Sequence, residues 1–309
     1  MRILVTGGAG FIGSNVVDGY IETGYSVCVV DNLSKGRRKN IHPKARFYEV
    51  DILNRHALEE VFIKERPEVV NHHSAQVDVR RSLSEPLFDM SLNIEGSLNL
   101  LELSVKYGVK RFIYASSGGA IYGEPRFLPL TEEHPIEPIS HYGVSKHTVE
   151  HYVELYRHNY GLNYVVLRYS NVYGPRQDPY GEAGVVAIFA NLMLKGETPV
   201  IFGDGGQTRD FIYVKDVVDA NIAALNKGTN LCLNIGSGKE TSVREVFESI
   251  AQIVGFKGSP KFQPARKGEV SRIYHDVSRA SSALKWTPKT PFKEGLRRAV
   301  EQIKKEVLV

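Results

Sequence analysis

Tyr142 and Lys146 lie four residues apart in the stretch His141-Tyr142-Gly143-Val144-Ser145-Lys146. On a helix that spacing puts both side chains on one face, one turn apart. The residues that follow continue a helical pattern to about Tyr160. A free phenol, with a pKa of about 10, holds its proton too tightly to be a base near neutral pH. A neighbouring ammonium favours the phenolate. Lys146 is therefore expected to lower the Tyr142 pKa, helped by a second cation such as an oxidised nicotinamide. Ser116-Ser117-Gly118-Gly119 ends the strand before this helix, and its hydroxyls are expected to reach the same crevice as Tyr142. Tyr-x-x-x-Lys also arises by chance in many helices, as a surface tyrosine beside a lysine laid along the helix.

The elements that must position these groups begin at the amino end. Ile3 to Thr6 reads as a buried strand, Phe11 to Thr23 as a helix and Ser26 to Asp31 as a second strand. Between the first two lies Gly7-Gly8-Ala9-Gly10-Phe11-Ile12-Gly13. Glycines at 7, 10 and 13 suit a tight turn, close approach of a pyrophosphate and close helix-to-strand packing. The helix N-terminus would face the phosphates. Asp31 ends the second strand, where a carboxylate bonds the ribose hydroxyls of NAD and repels the extra phosphate of NADP. Further alternation, with strands at 46–51, 68–73 and 110–116 and helices at 55–65 and 87–107, predicts a doubly wound parallel α/β sheet of Rossmann type. Ligands of such sheets lie at the carboxyl ends of the strands. Asp51-Ile52 and His73-Ser74-Ala75-Gln76-Val77 fall there. His72 and His73 lack a Cys/His cluster to complete a metal site, so no metal is expected and they are read as packing and cofactor contacts.

Composition narrows the class. The chain has 309 residues, 42% hydrophobic and 24% charged, ordinary for a soluble globular protein. A net charge of +4 is too slight to argue for nucleic acid. No apolar run has the length of a membrane span, and Met1-Arg2 runs straight into a strand, so neither a membrane anchor nor a signal peptide is expected. Cys28 and Cys232 sit in apolar runs and read as buried thiols in a reducing cytoplasm.

Several motifs follow one another in order: the glycine turn, Asp31-Asn32, Asp51-Ile52, 73–77, Ser117 through Tyr122-Gly123, and Tyr142-x-x-x-Lys146. Arg168-Tyr169-Ser170-Asn171-Val172-Tyr173-Gly174-Pro175 and Gly205-Gly206-Gln207-Thr208-Arg209-Asp210-Phe211 complete the series. Over essentially its whole length the chain resembles the extended short-chain dehydrogenase/reductase family, and within it the nucleotide-sugar 4-epimerases. The resemblance implies an NAD-binding domain over 1–170. A smaller substrate-binding lobe would span 171–309, interleaved with strands and helices of the main sheet. NAD would be held by Gly7, Gly10, Phe11, Ile12, Gly13, Asp31, Asn32, Ser34, Gly36, Asp51, Ile52, His73, Ala75, Gln76, Asn93, Tyr142, Lys146 and Tyr169. The UDP-sugar would be held by Ser117, Gly118, Tyr142, Asn171, Val185, Val200, Phe202, Arg209, Arg266 and Glu269. Tyr142, Lys146 and Ser117 would be catalytic. Tyr142 would take the proton of the sugar 4-hydroxyl while the C4 hydride passes to NAD⁺, and both would return after the 4-keto sugar turns over. The implied reaction, placed in galactose metabolism, interconverts UDP-glucose and UDP-galactose. Relatives also imply a cytoplasmic homodimer built on the helices near 87–107 and 142–160.

Three departures stand out. The usual catalytic Ser or Thr falls on Gly118, so either Ser117 takes the role or Tyr142 works alone, and Gly118→Ser is expected to restore part of the activity of a Ser117→Ala variant if the backbone follows the relatives. Position 170, often a bulky aromatic near the nicotinamide, is Ser170. Ile273 stands where relatives vary with the sugar C2 substituent. Dehydratases and decarboxylases of the family carry acids in the serine loop that are absent at Gly118-Gly119. UDP-glucuronate 4-epimerase or another NAD-dependent nucleotide-sugar enzyme remains the nearest alternative. An NAD-binding regulatory protein is the non-enzymatic one.

Overall fold

The computed structural model describes residues 1–180, 184–265 and 270–307. Strands β1 (Arg2–Thr6), β2 (Ser26–Asp31), β3 (Arg46–Glu49), β4 (Val69–His72), β5 (Arg111–Ser117) and β6 (Asn163–Tyr169) alternate with helices. These are α1 (Phe11–Glu22), α2 (Arg55–Glu65), α3 (Val79–Ser84), α4 (Pro86–Met90), α5 (Gly96–Lys106) and α6 (His141–Tyr160). A π-helical segment, Ser91–Glu95, joins α4 directly to α5, so the expected helix over 87–107 runs on with a widened segment at its centre. Beyond β6 come β7 (Asn171–Tyr173), α7 (Val185–Leu194), β8 (Val200–Phe202), β9 (Thr208–Arg209), β10 (Phe211–Tyr213) and α8 (Val214–Ala224). The chain ends with β11 (Leu231–Ile235), β12 (Thr241–Ser242), α9 (Val243–Val254), β13 (Lys261–Gln263), α10 (Ser278–Leu284) and α11 (Phe292–Val307).

The main sheet is seven-stranded and parallel, in the order β11-β6-β5-β4-β1-β2-β3. Its strands read as apolar runs because helices cover both faces. Val5, Val29 and Leu167 belong to one buried cluster, and Leu4, Phe112 and Val166 to the other. The order reverses between β1 and β4, which opens a crevice at their carboxyl ends. A third apolar cluster, with Tyr173, Phe189, Phe247 and Leu296, forms the core of a smaller lobe. β11 returns to the main sheet beside β6, so the carboxyl-terminal half contributes to both. No described helix is long and apolar enough to cross a membrane.

Candidate active site

At the end of β1 the chain turns through Gly7, whose φ is +67°, and a side chain there would lie 2.7 Å from Ser74 N. A side chain at Gly13 would lie 2.2 Å from Gly7 O. Both positions require glycine, which lets α1 start against β1. Helices α2, α6 and α9 are capped by Asn54, Ser140 and Ser242, but α1 has no side-chain cap and no acid in its first turn. Its leading N–H groups, at Phe11, Ile12 and Gly13, are thus the type of donors that hold a dinucleotide's phosphates.

Asp31 is buried, its Oδ2 accepting from Ala9 N at 3.0 Å and its Oδ1 from Leu33 N at 2.8 Å. Burial pushes its carboxyl up, against the pull of those two bonds. Each oxygen keeps a lone pair for a ribose hydroxyl. Asn32 donates to Asp51 at 2.8 Å and accepts from Ser34, and Gly36 lies close beside the Asp31 carboxylate. Ile52 packs under Gly96. The expected adenosine-side residues are therefore together. The residues uncapped at α1 and gathered around Asp31 fit NAD.

Some expected cofactor contacts are otherwise engaged. Asn93 is buried, accepts from Gln76 N at 2.8 Å, and donates to Gln76 O, Asp89 and Ser145. With both amide hydrogens committed, it clamps the 73–77 loop to α6. The Gln76 amide is likewise turned to Asp78 and Asp89. The Tyr169 hydroxyl accepts from Asn221 at 2.8 Å within a buried network, and its ring stacks on His73. Ala75 lies half-buried between His73 and Gln76. Burial, with Lys146 nearby, lowers the His73 imidazole to about 3, so it is neutral. Both His72 nitrogens are bonded, to Thr6 and Ser97.

Tyr142 and Lys146 share α6, one turn apart. Lys146 donates to Ala115 O at 2.8 Å and sits 4.8 Å over the Tyr114 ring. Burial lowers it to about 8, against the nearby carboxylates of Asp89 and Glu150. Burial pushes the Tyr142 phenol up to about 12, the Ser117 hydroxyl bonded to it works in the other direction, and Asp89 raises it further. Lys146 is not among the groups that lower it. With the Lys146 ammonium anchored on a strand carbonyl and no second cation beside it among the described residues, burial holds the phenol in its protonated form. Asp89, missed from the sequence, is a buried carboxylate behind this pair.

Successive strand residues face opposite ways. Ser117 accordingly meets Tyr142, whereas Ser116 donates to Glu150 at 2.5 Å on the other side. Only one of the two expected hydroxyls reaches the crevice. Gly118 cannot carry the second, because a side chain there would lie 2.6 Å from His275 Nε2. The partial rescue expected of Gly118→Ser in a Ser117→Ala background is therefore opposed by the His275 ring, which would have to shift. Asn171, at the start of β7, brings its amide oxygen beside Gly119. β8 turns Val200 and Phe202 to one half-exposed face, and Val185 begins α7 half-buried. Arg209 is half-buried on β9, bonded to Thr208 O at 2.8 Å. Ile273 is buried against Ile121, Tyr122 and Leu130, away from any open surface. Arg266 and Glu269 lie outside the described residues.

Comparison with known proteins matches residues 3–236 to the model of the "NAD dependent epimerase/dehydratase family". A putative UDP-glucose 4-epimerase of Methanocaldococcus jannaschii is 52% identical over 302 residues, covering 98% of each chain. The structure of a UDP-glucose 4-epimerase from Thermotoga maritima with UDP-glucose superposes with a TM-score of 0.98 at 52% identity, over 99% of this chain and 100% of that one. That of a Thermus thermophilus UDP-glucose 4-epimerase with NAD gives 0.92 at 42% identity, over 98% and 99%.

Proposed function

The chain belongs to the NAD dependent epimerase/dehydratase family, and from that premise we propose that it interconverts UDP-glucose and UDP-galactose by inverting C4 through a 4-keto sugar. The observation that carries the reading is the Tyr142–Ser117 pair, set beside the uncapped start of α1 at the carboxyl edge of the sheet. In this reading Tyr142 takes the proton from the 4-hydroxyl oxygen and later returns it. The Ser117 hydroxyl bridges phenol and sugar oxygen and steadies charge on both. Bound NAD supplies a reversible hydride acceptor for C4. Lys146 keeps a buried cation beside the crevice, which favours the phenolate once the site is dry. Asn171, Val185, Val200, Phe202 and Arg209 would receive the nucleotide sugar, with the Arg209 guanidinium suited to its diphosphate. Hydride and proton go back to the substrate, so no external oxidant is consumed.

The test is to incubate the purified protein with UDP-galactose and follow UDP-glucose by NMR, with release and identification of the bound dinucleotide. UDP-glucose is expected to form without added cofactor, with NAD in the denatured extract. No conversion, or NADP in the extract, would reject the reading.

A cytoplasmic homodimer belongs to the same reading. Its support is the exposed apolar row along α3, α4 and α6: Leu83, Leu87, Phe88, Met90, Val144 and Leu155, with Leu87 77% exposed. Apolar side chains exposed on neighbouring helices are the kind of surface that a second chain covers. Leu87→Asp is expected to halve the sedimenting mass. A wild-type chain that sediments at 34.5 kDa would end the dimer assignment.

A further inference from the structure

Gly118, one of the residues that break the family pattern, sits against a buried imidazole. His275 is 1% exposed and Asp210 is fully buried. Asp210 Oδ2 accepts from His275 Nδ1–H and from His275 N, each at 3.2 Å, while its Oδ1 accepts from Ser237 N and Oγ at 2.7 and 2.6 Å. With the Gly238 N–H also donating to Oδ2 at 3.3 Å, a carboxylate held by five donors fixes the ring plane. The far edge of the ring then points at Gly118, with Nε2 closed off from solvent and without a hydrogen-bond partner. Gly118 itself is tied by its N–H to Tyr169 O at 2.8 Å, one residue before Ser170. The backbone cannot retreat from the ring without losing that bond.

We propose that His275, oriented by Asp210, is a positioning residue that keeps position 118 bare and so assigns the catalytic hydroxyl to Ser117. The inference rests on the role given to Ser117 above. The imidazole takes the volume that a side chain at 118 would need, while the pleat of β5 holds Ser117 on the Tyr142 side.

His275→Asn tests this, because its amide retains a donor for Asp210 and removes the ring edge facing Gly118. Gly118→Ser alone is expected to lower kcat about 10-fold or more and to lower Tm, with NAD retention as the control for folding. Gly118→Ser with His275→Asn is expected to regain both. In that double variant Ser117→Ala should cost less than it does in the wild-type background, since the hydroxyl has moved to 118. A purely structural histidine would not change the cost of losing Ser117. Gly118→Ser at wild-type rate and Tm, or no recovery in the double variant, overturns the proposal. Ser117→Ala at wild-type rate in the wild-type background would instead reject the Ser117 role, while the Gly118–His275 coupling in Tm still reports on His275.

Discussion

Tyr142→Phe is expected to lower kcat by about 10²-fold or more, in the range that general acid–base catalysis supplies. The ring remains, so NAD retention and thermal stability should stay close to wild type. The phenol lies in a site dry enough to push its pKa to about 12, and the one bond that lowers it comes from Ser117. A group so placed holds its proton until substrate and cofactor complete the site, which suits a residue that both takes and returns a proton. Lys146 supplies a second reading of the same site. Burial lowers its ammonium to about 8, so it is charged below that pH and neutral above. The rate should therefore fall as pH rises through about 8, where the cation that favours the phenolate is lost. Steady-state kinetics across pH would check both points. A Tyr142→Phe enzyme with more than a tenth of the wild-type kcat would remove Tyr142 from the acid–base role.

Glu150→Ala is expected to destabilise the fold by about 3–5 kcal/mol, the cost of leaving a buried charge without its partner. Arg168 donates to both oxygens of Glu150, at 3.0 and 2.7 Å, and the two side chains are 5% and 4% exposed. Arg168 also donates to the Tyr122 hydroxyl, which donates to Asn234 on β11. The loss would strand a guanidinium at the junction of β5, β6, β11 and α6. Burial pushes the Glu150 carboxyl up, but bonds from His147, Arg168 and Ser116 outweigh it and hold the group below the usual carboxylate range. The pair's stabilisation is thus present above the unfolded carboxyl pKa of about 4.3 and is lost as pH falls through the lower folded value. Denaturant unfolding at neutral pH reads the effect directly. A loss below about 1 kcal/mol would show that water or a rearranged partner compensates Arg168. Replacing both residues by apolar ones of similar size should recover much of the difference.

Much of this protein was legible along the chain, for a local reason. Apolar periodicity marks strands and helices within a few residues, and Gly7, Gly13 and Asp31 work within a single β-α-β unit, so short-range sequence specified the glycine turn and the acid at the end of β2. The four-residue step between Tyr142 and Lys146 likewise placed both on α6. Which way a side chain turns, and what it meets, depended on residues far away in sequence. Lys146 goes to the carbonyl of Ala115 because the phenol's surroundings are dry and a strand-end oxygen is the acceptor within reach. Ser116 and Ser117 look equivalent in the sequence, and the pleat of β5 sends one to Glu150 and the other to Tyr142. Asn93 reads as a polar residue on a helix, and the widened segment at 91–95 turns it inward as a clamp. Gly118 reads as a lost hydroxyl until His275, 157 residues later, is found against it. No local pattern encodes that contact, because it forms only when the segment around Leu130 pairs with the one around His275. Tertiary packing decided which hydroxyl faces the substrate, and burial decided the protonation of the groups around it.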